Sequence, residues 1–156
     1  MAQCLLALGS NLGDREATLS AALAAIDAVE GVRLLRASRW HRSEPVGGPP
    51  GQGEYLNGAA IVETSLAPQE LLNEMQAVEQ QFGRERTVHW GPRTLDVDLL
   101  LLEDQIIDTP ELTIPHPRMA GRRFVLEPAI EIAADWVHPG LARTLAALRA
   151  ELDPVE

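Results

Sequence analysis

Lysine is absent from this chain. All 13 basic residues among its 156 are arginine. That excludes Schiff-base chemistry on a side-chain amine, and it excludes the Gly-x-x-x-x-Gly-Lys-Ser/Thr phosphate loop. Cysteine is nearly absent. The single Cys4 permits neither an internal disulfide nor a cysteine-rich zinc site, and inside an apolar run it reads as a small buried side chain. No apolar run approaches the ~18 residues of a membrane span, so no membrane partner is expected. The N-terminus lacks a basic stretch followed by a long apolar core, so no signal peptide is expected and a cytoplasmic location is the default. Positive charge is scarce overall: 23 acidic residues give a net charge of −10. Such a balance argues against general nucleic-acid or anionic-membrane binding. It also means that an anionic substrate would need a local device to hold it.

What is present reads as one soluble globular domain, residues 1–156, with 46% hydrophobic and 23% charged residues. Residues 3–8 form an apolar run that predicts a buried strand, and residues 9–13, Gly-Ser-Asn-Leu-Gly, read as a loop. A helix is expected over 15–29, with Leu19, Leu23, Ile26 and Val29 on one face. A strand is expected over 32–42. Residues 44–53 hold three prolines and four glycines and predict a loop. Strand character returns at 55–64. Pro68 opens a second helix, to about residue 82, with Leu71, Leu72, Met75, Val78 and Phe82 inward. A polar loop over 84–93 leads into a strand over 94–102. Short strands near 106–107 and 112–114, a turn over 115–121, and helices near 127–134 and 141–152 complete the chain. The β-α-β-β-α-β order predicts an α+β sandwich with a mainly antiparallel sheet.

The sharpest chemical signal is Leu95-Asp96-Val97-Asp98-Leu99. Alternate strand side chains share a face, so Asp96 and Asp98 point one way with Cα atoms ~6–7 Å apart, while the three apolar residues point into the core. Such a pair could hold two Mg²⁺ ions, or could be a solvated acidic face. Arg84, Arg86 and Arg93 lie just upstream. Arginine forks suit phosphate oxygens, though beside aspartates they could equally form salt bridges. Metal ions plus arginines are what polyphosphate transfer demands. His116, held extended by Pro117, reads either as part of a rigid turn or as a fixed imidazole donor aimed at a phosphate. Arg122 and Arg123 would face opposite ways in extended structure, so one of them is expected to serve a site. Tyr55 and Asn57 share a strand face, an aromatic plane beside an amide, suited to stacking on a flat heteroaromatic ring and bonding its edge.

Trp90-Gly91-Pro92-Arg93-Thr94-Leu95-Asp96-Val97-Asp98-Leu99-Leu100 closely resembles the central motif of the 6-hydroxymethyl-7,8-dihydropterin pyrophosphokinase family of the folate pathway. Gly9-Ser10-Asn11-Leu12-Gly13, Arg42-Ser43-Glu44-Pro45-Val46-Gly47, Tyr55-Leu56-Asn57, Gly83-Arg84-Glu85-Arg86, Pro115-His116-Pro117-Arg118-Met119 and Arg122-Arg123-Phe124-Val125-Leu126 are similar to further family segments, in family order. The resemblance implies a ferredoxin-like α-β-α sandwich. It implies transfer of pyrophosphate from ATP to the pterin's hydroxymethyl group, with release of AMP. Asp96 and Asp98 would hold two Mg²⁺ ions and, with Arg84 and Arg93, form the catalytic set. Gln76, Glu79, Arg84, Trp90, Arg93, His116 and Arg122 would bind ATP. Ser43, Pro45, Val46, Gly47, Tyr55, Asn57 and Phe124 would bind the pterin. The expected partners are these two small molecules, with no nucleic acid and no membrane, and the expected state is a monomer.

Two other classes compete. A two-metal phosphohydrolase would release phosphate from ATP without a pterin. A non-catalytic ferredoxin-like domain would bind ligand without turnover, which leaves the arginines beside a same-face aspartate pair without a reason. Charge is distributed in keeping with an ATP enzyme: residues 84–124 hold six arginines and seven acids, a net of −1, so −9 of the −10 belongs to the rest of the chain.

Overall fold

The computed structural model describes residues 1–10, 15–43, 55–82 and 95–152. Its elements run β1 (Ala2–Ser10), α1 (Arg15–Asp27), β2 (Val32–Ala37), β3 (His41–Ser43), β4 (Tyr55–Thr64), α2 (Pro68–Gln81), β5 (Asp96–Leu102), β6 (Ile107–Asp108), β7 (Thr113–Ile114), a 3₁₀ turn (Met119–Gly121), α3 (Arg123–Ala133), β8 (Val137–His138), β9 (Arg143–Thr144) and α4 (Leu145–Glu151). The main sheet has the order β2-β4-β1-β5, with β3 extending the β2 edge of β4, and every pairing in it is antiparallel. This is the predicted α+β fold of ferredoxin-like type, with helices on both faces of the sheet.

Strand alternation builds the two faces. Cys4, Leu6 and Leu8 pack with Leu19 and Ile26 of α1 and Leu71, Met75 and Val78 of α2. Leu5, Ala59 and Ile61 pack with Leu126 and Ala129 of α3 and Leu145 and Leu148 of α4. At 25 cal/mol per Å², a fully buried leucine contributes roughly 1.5–3 kcal/mol, so these two cores hold the sheet between the helix pairs. The run Leu99-Leu100-Leu101-Leu102 serves both cores through a bulge. Leu6 pairs with Leu99 and Leu5 with Leu101, which leaves Leu100 as the extra residue. Leu99 and Leu102 join the α1/α2 core, while Leu100 and Leu101 join the α3/α4 core.

Local chemistry sets several element ends differently from the sequence reading. The strand expected over 32–42 is broken at 38–40. There Ser38 bridges the gap: its amide donates to the Ala59 carbonyl at 2.8 Å, and its hydroxyl accepts from the Ala59 amide at 2.9 Å. Trp40 meanwhile lies against Gly58, where a Cβ would stand 2.3 Å from the indole. Pro68 starts α2, and the Ala67 amide donates to Glu70 Oε1 at 2.8 Å. Helix α3 starts at Arg123, four residues before the expected start. Pro128 lies inside it and withholds the hydrogen bond that the Phe124 carbonyl would accept, which is why the pattern alone suggested a later start. The β8–β9 hairpin falls where only loop and helix were expected. Thr144 then caps α4, its Oγ1 accepting from the Ala147 amide at 3.1 Å.

Candidate active site

The face of the sheet toward α3 carries polar residues beyond the end of its core. Successive rows across three strands read Ala59–Ala7–Asp98 and then Asn57–Gly9–Asp96. Tyr55 lies one step further along β4, paired with Ser43 of β3. Alternation places Asp96, Asp98, Asn57 and Tyr55 on this one face, as the sequence pattern predicts, while Leu95, Val97 and Leu99 go to the α1/α2 core. Asn57 is buried, Asp96 half-buried and Asp98 exposed.

Residues 115–124 lie over that face, held there by two features. The His116 amide donates to the Leu100 carbonyl at 2.9 Å, which ties the turn to the end of the aspartate strand. The start of α3 then brings Phe124 across from Tyr55 and Asn57. Arg122 stands over Phe124, its Cζ 5.5 Å from the ring centroid, within cation–π range. Together these groups line a cleft of about 630 Å³ with Tyr55, Asn57, Asp96, Asp98, His116, Arg118, Arg122, Arg123 and Phe124 on its walls. That volume lies within the ~300–1,000 Å³ usual for small-molecule sites.

Residues 122 and 123 depart from the expectation that only one arginine would face a site. Arg122 is the N-cap, with an extended backbone, and Arg123 is the first residue of α3; the chain turns into the helix at this point, and both side chains line the cleft. Arg123 also pairs with Glu127 one turn on, at 3.5 Å. Arg118 lines the cleft too; the sequence reading quoted it in a motif but gave it no role.

The imidazole of His116 is in a defined state. Its Nδ1 accepts from the Arg118 amide at 3.2 Å, so the ring proton of the neutral form sits on Nε2. Burial lowers its pKa from 6.5; Asp98 opposes this, while Arg122 and Arg118 add to it. The site thus holds a neutral imidazole with one N–H still to donate.

A second polar cluster braces the cleft from behind. Glu131 of α3 accepts from the Arg39 amide at 2.9 Å, pairs with the Arg39 guanidinium at 3.2 Å, and meets Nε2 of His41. Partial desolvation raises the Glu131 carboxyl, but the hydrogen bonds from Arg39 and His41 outweigh it, and the net shift is downward. His41 pairs with Asn57 across β3 and β4, so this cluster fastens α3 to the strands that carry Tyr55 and Asn57.

Two expected nucleotide contacts do not line the described cleft. Gln76 is exposed on α2, and Glu79 is 3% exposed beneath β5, where its Oε2 accepts from the Val97 amide at 2.7 Å. Neither lines the described cleft, because α2 covers the opposite face of the sheet. Arg84, Trp90, Arg93, Pro45, Val46 and Gly47 lie outside the described residues, and of Ser43 only the backbone is described.

Among the described residues no group of three or more His, Cys, Asp or Glu side chains converges as a closed metal cage. The donor set is instead two hard carboxylates on an open wall. That fits magnesium, which is commonly bound by one or two carboxylates plus substrate phosphates and water.

The fold and the cleft define a class: an α+β protein whose cleft brings aromatic side chains, a carboxylate pair and a basic turn together. The chain belongs to the 7,8-dihydro-6-hydroxymethylpterin-pyrophosphokinase (HPPK) family, whose sequence pattern matches residues 5–134. It is therefore a pyrophosphokinase, a transferase. The 2-amino-4-hydroxy-6-hydroxymethyldihydropteridine pyrophosphokinase of Synechocystis sp. is 44% identical over 146 residues, which covers 94% of this chain and 74% of that protein. The enzyme of the same name from Haemophilus influenzae is 45% identical over 139 residues, covering 89% and 86%. The crystal structure of wild-type Plasmodium falciparum HPPK-DHPS shares the fold, with a TM-score of 0.76 over 96% of this chain at 12% identity. This chain spans 44% of that longer one. No helix of the described residues is long and apolar enough to cross a membrane.

Proposed function

We propose that the cleft transfers pyrophosphate from ATP to the hydroxymethyl oxygen of 6-hydroxymethyl-7,8-dihydropterin and releases AMP, a step of folate biosynthesis. The observation that carries this reading is the row Asn57–Gly9–Asp96, which sets a ring-edge reader on β4 and a phosphate-side carboxylate on β5, one on each side of β1 in a single wall. Tyr55 and Phe124 supply aromatic faces for the pterin, and an amide such as that of Asn57 is of the type that pairs with a ring's edge. The backbone of Ser43 pairs beside Tyr55. By resemblance, Ser43, Pro45, Val46 and Gly47 close the pterin pocket.

Asp96 and Asp98 would hold two Mg²⁺ ions, which when bound neutralise triphosphate charge. Around them the chain's own groups position and stabilise. The neutral His116 donates a hydrogen bond from Nε2–H to a phosphate oxygen, since its Nδ1 is already engaged with the Arg118 amide. Arg122, with Arg84 and Arg93 assigned by resemblance, offsets the charge that grows on the phosphates. The hydroxymethyl oxygen bonds to the β-phosphorus, the bond from that phosphorus to the α–β bridging oxygen breaks so that this oxygen leaves with AMP, and the hydroxyl proton passes to solvent water. Phosphoryl transfer asks little covalent chemistry of a protein beyond this positioning and neutralisation. Gln76, Glu79 and Trp90 belong to the nucleotide side by resemblance, with Glu79 acting through the strand it holds.

The same reading takes residues 1–156 as a single domain that works as a monomer. Its need for ATP supports a cytoplasmic setting. The test is incubation with ATP, Mg²⁺ and the reduced pterin alcohol. AMP and the pterin diphosphate are the expected products; ADP in place of AMP overturns the reading.

A further inference from the structure

Glycine inside a strand packs no side chain and weakens the strand, so it marks either an unusual backbone or a close approach. Gly9 lies within β1 and pairs on both sides, with Asn57 of β4 and Asp96 of β5. Its backbone is not in the left-handed region; among the described residues the one glycine with positive φ is Gly31. Any residue could adopt the conformation of Gly9, so conformational freedom does not explain it. Space does. A Cβ there would stand 3.0 Å from Asn57 Oδ1 and 3.8 Å from Tyr55 Cδ1. The first distance is too short for ordinary contact, and Asn57, 7% exposed, has little room to yield.

Gly58 shows the other use of a bare strand position. Its Cβ would meet the Trp40 indole at 2.3 Å, so its reason is packing against an aromatic side chain. Gly9 abuts the polar end of Asn57 instead, and it lies in the cleft wall midway between that amide and Asp96. The two flanking residues are two strand spacings apart, about 10 Å, with only backbone between them.

We propose that Gly9 is a positioning residue that determines substrate specificity: its missing side chain lets the Asn57 amide hold the place from which it reads the edge of a two-ring heterocycle. The role rests on the functional reading above. A methyl group at residue 9 displaces that amide by a few tenths of an ångström, enough to misalign hydrogen bonds to a rigid ring but not to disturb the turn that faces ATP.

The test is steady-state AMP formation by the wild-type chain, Gly9→Ala, Asn57→Ala and the double variant, with circular dichroism to check folding. Gly9→Ala is expected to raise KM for the pterin alcohol at least fivefold, well beyond any change in KM for ATP. In the Asn57→Ala background the same change is expected to add less than twofold, because the displaced group is gone. An unchanged pterin KM in folded Gly9→Ala overturns the proposal, and so does a parallel rise in both KM values. Should Gly9→Ala alone fail to fold, the double variant against Asn57→Ala decides, and a further loss beyond twofold overturns the proposal. A wild-type chain that makes no AMP overturns the functional reading itself, and does so before any substitution is compared.

Discussion

The Glu79 carboxylate accepts a hydrogen bond from the Val97 amide at 2.7 Å, and Val97 is the residue between Asp96 and Asp98. Strand β5 is the edge of the main sheet. An edge strand has amides with no strand partner, and an unmet buried amide costs roughly 1–3 kcal/mol. Glu79, reaching up from α2, meets one of them at the centre of the carboxylate pair. Glu79→Ala is expected to destabilise the fold by about 1–3 kcal/mol and to raise the Mg²⁺ concentration needed for half-maximal AMP formation. Glu79→Gln keeps an acceptor oxygen and should recover most of the loss. Thermal unfolding and a magnesium titration check this; an alanine variant with wild-type values in both would show that the contact holds nothing.

Asp98 lies at the exposed end of the pair and supports no core packing. Asp98→Ala should leave thermal stability within about 0.5 kcal/mol. It should reduce turnover by roughly three orders of magnitude, in line with several kcal/mol of lost charge stabilisation. The measurement is AMP release at saturating substrates on a folded variant. Turnover near the wild-type rate would remove Asp98 from the metal assignment.

Phe124 stands at the first turn of α3 with Arg122 over its ring. Loss of one aromatic face against a flat heterocycle costs about 1–3 kcal/mol. Phe124→Ala is therefore expected to raise KM for the pterin alcohol roughly ten- to a hundredfold, and to affect KM for ATP less. A larger effect on ATP would place the ring on the nucleotide side.

His138 gives the fold an acid limit. Its Nδ1 accepts from the amides of Gly140 and Leu141 at 3.2 and 3.1 Å. Burial lowers its pKa from the ordinary 6.5, outweighing a backbone hydrogen bond that raises it. The unfolded chain thus takes up the proton first as the pH falls, so the contribution of the neutral ring is complete above 6.5 and is lost as pH drops through the lower, folded value. Melting temperature is expected to fall with acid as the pH goes from 6.5 down through that lower value. In His138→Asn, whose side-chain oxygen can replace Nδ1 as acceptor, the fall should be shallower. His116 shifts in the same direction and is present in both chains, so the difference between their profiles isolates His138. Identical slopes from about pH 5 to pH 8 would remove His138 from the acid response.

Legibility in the sequence followed the reach of local geometry. Period-two alternation was enough to put Asp96 with Asp98 and Tyr55 with Asn57, because a strand face is decided by its own residues. The same logic misread Gly9. A glycine after an apolar run looks like the end of a strand, and nothing local reveals that Asn57 of another strand stands against it. Arg122 and Arg123 both line the cleft because the chain turns into α3 there, and the sequence pattern placed that helix start four residues later. The four leucines 99–102 showed no sign of their division between two cores, because a bulge is fixed by register with β1.

By itself, then, the sequence determined the β-α-β-β-α-β order of the main elements, the antiparallel α+β fold, the same-face pairs and, through its ordered motifs, the family. These depend on backbone periodicity and on short segments whose chemistry is local. Only the tertiary structure decided that the Asn57 amide and the Asp96 carboxylate flank one glycine, that the 115–124 turn closes over them, and that Glu79 holds the aspartate strand from beneath. Those relations join residues far apart in the chain, and they exist only where strand register, the bulge at Leu100 and the docking of α2 and α3 bring them within bonding distance.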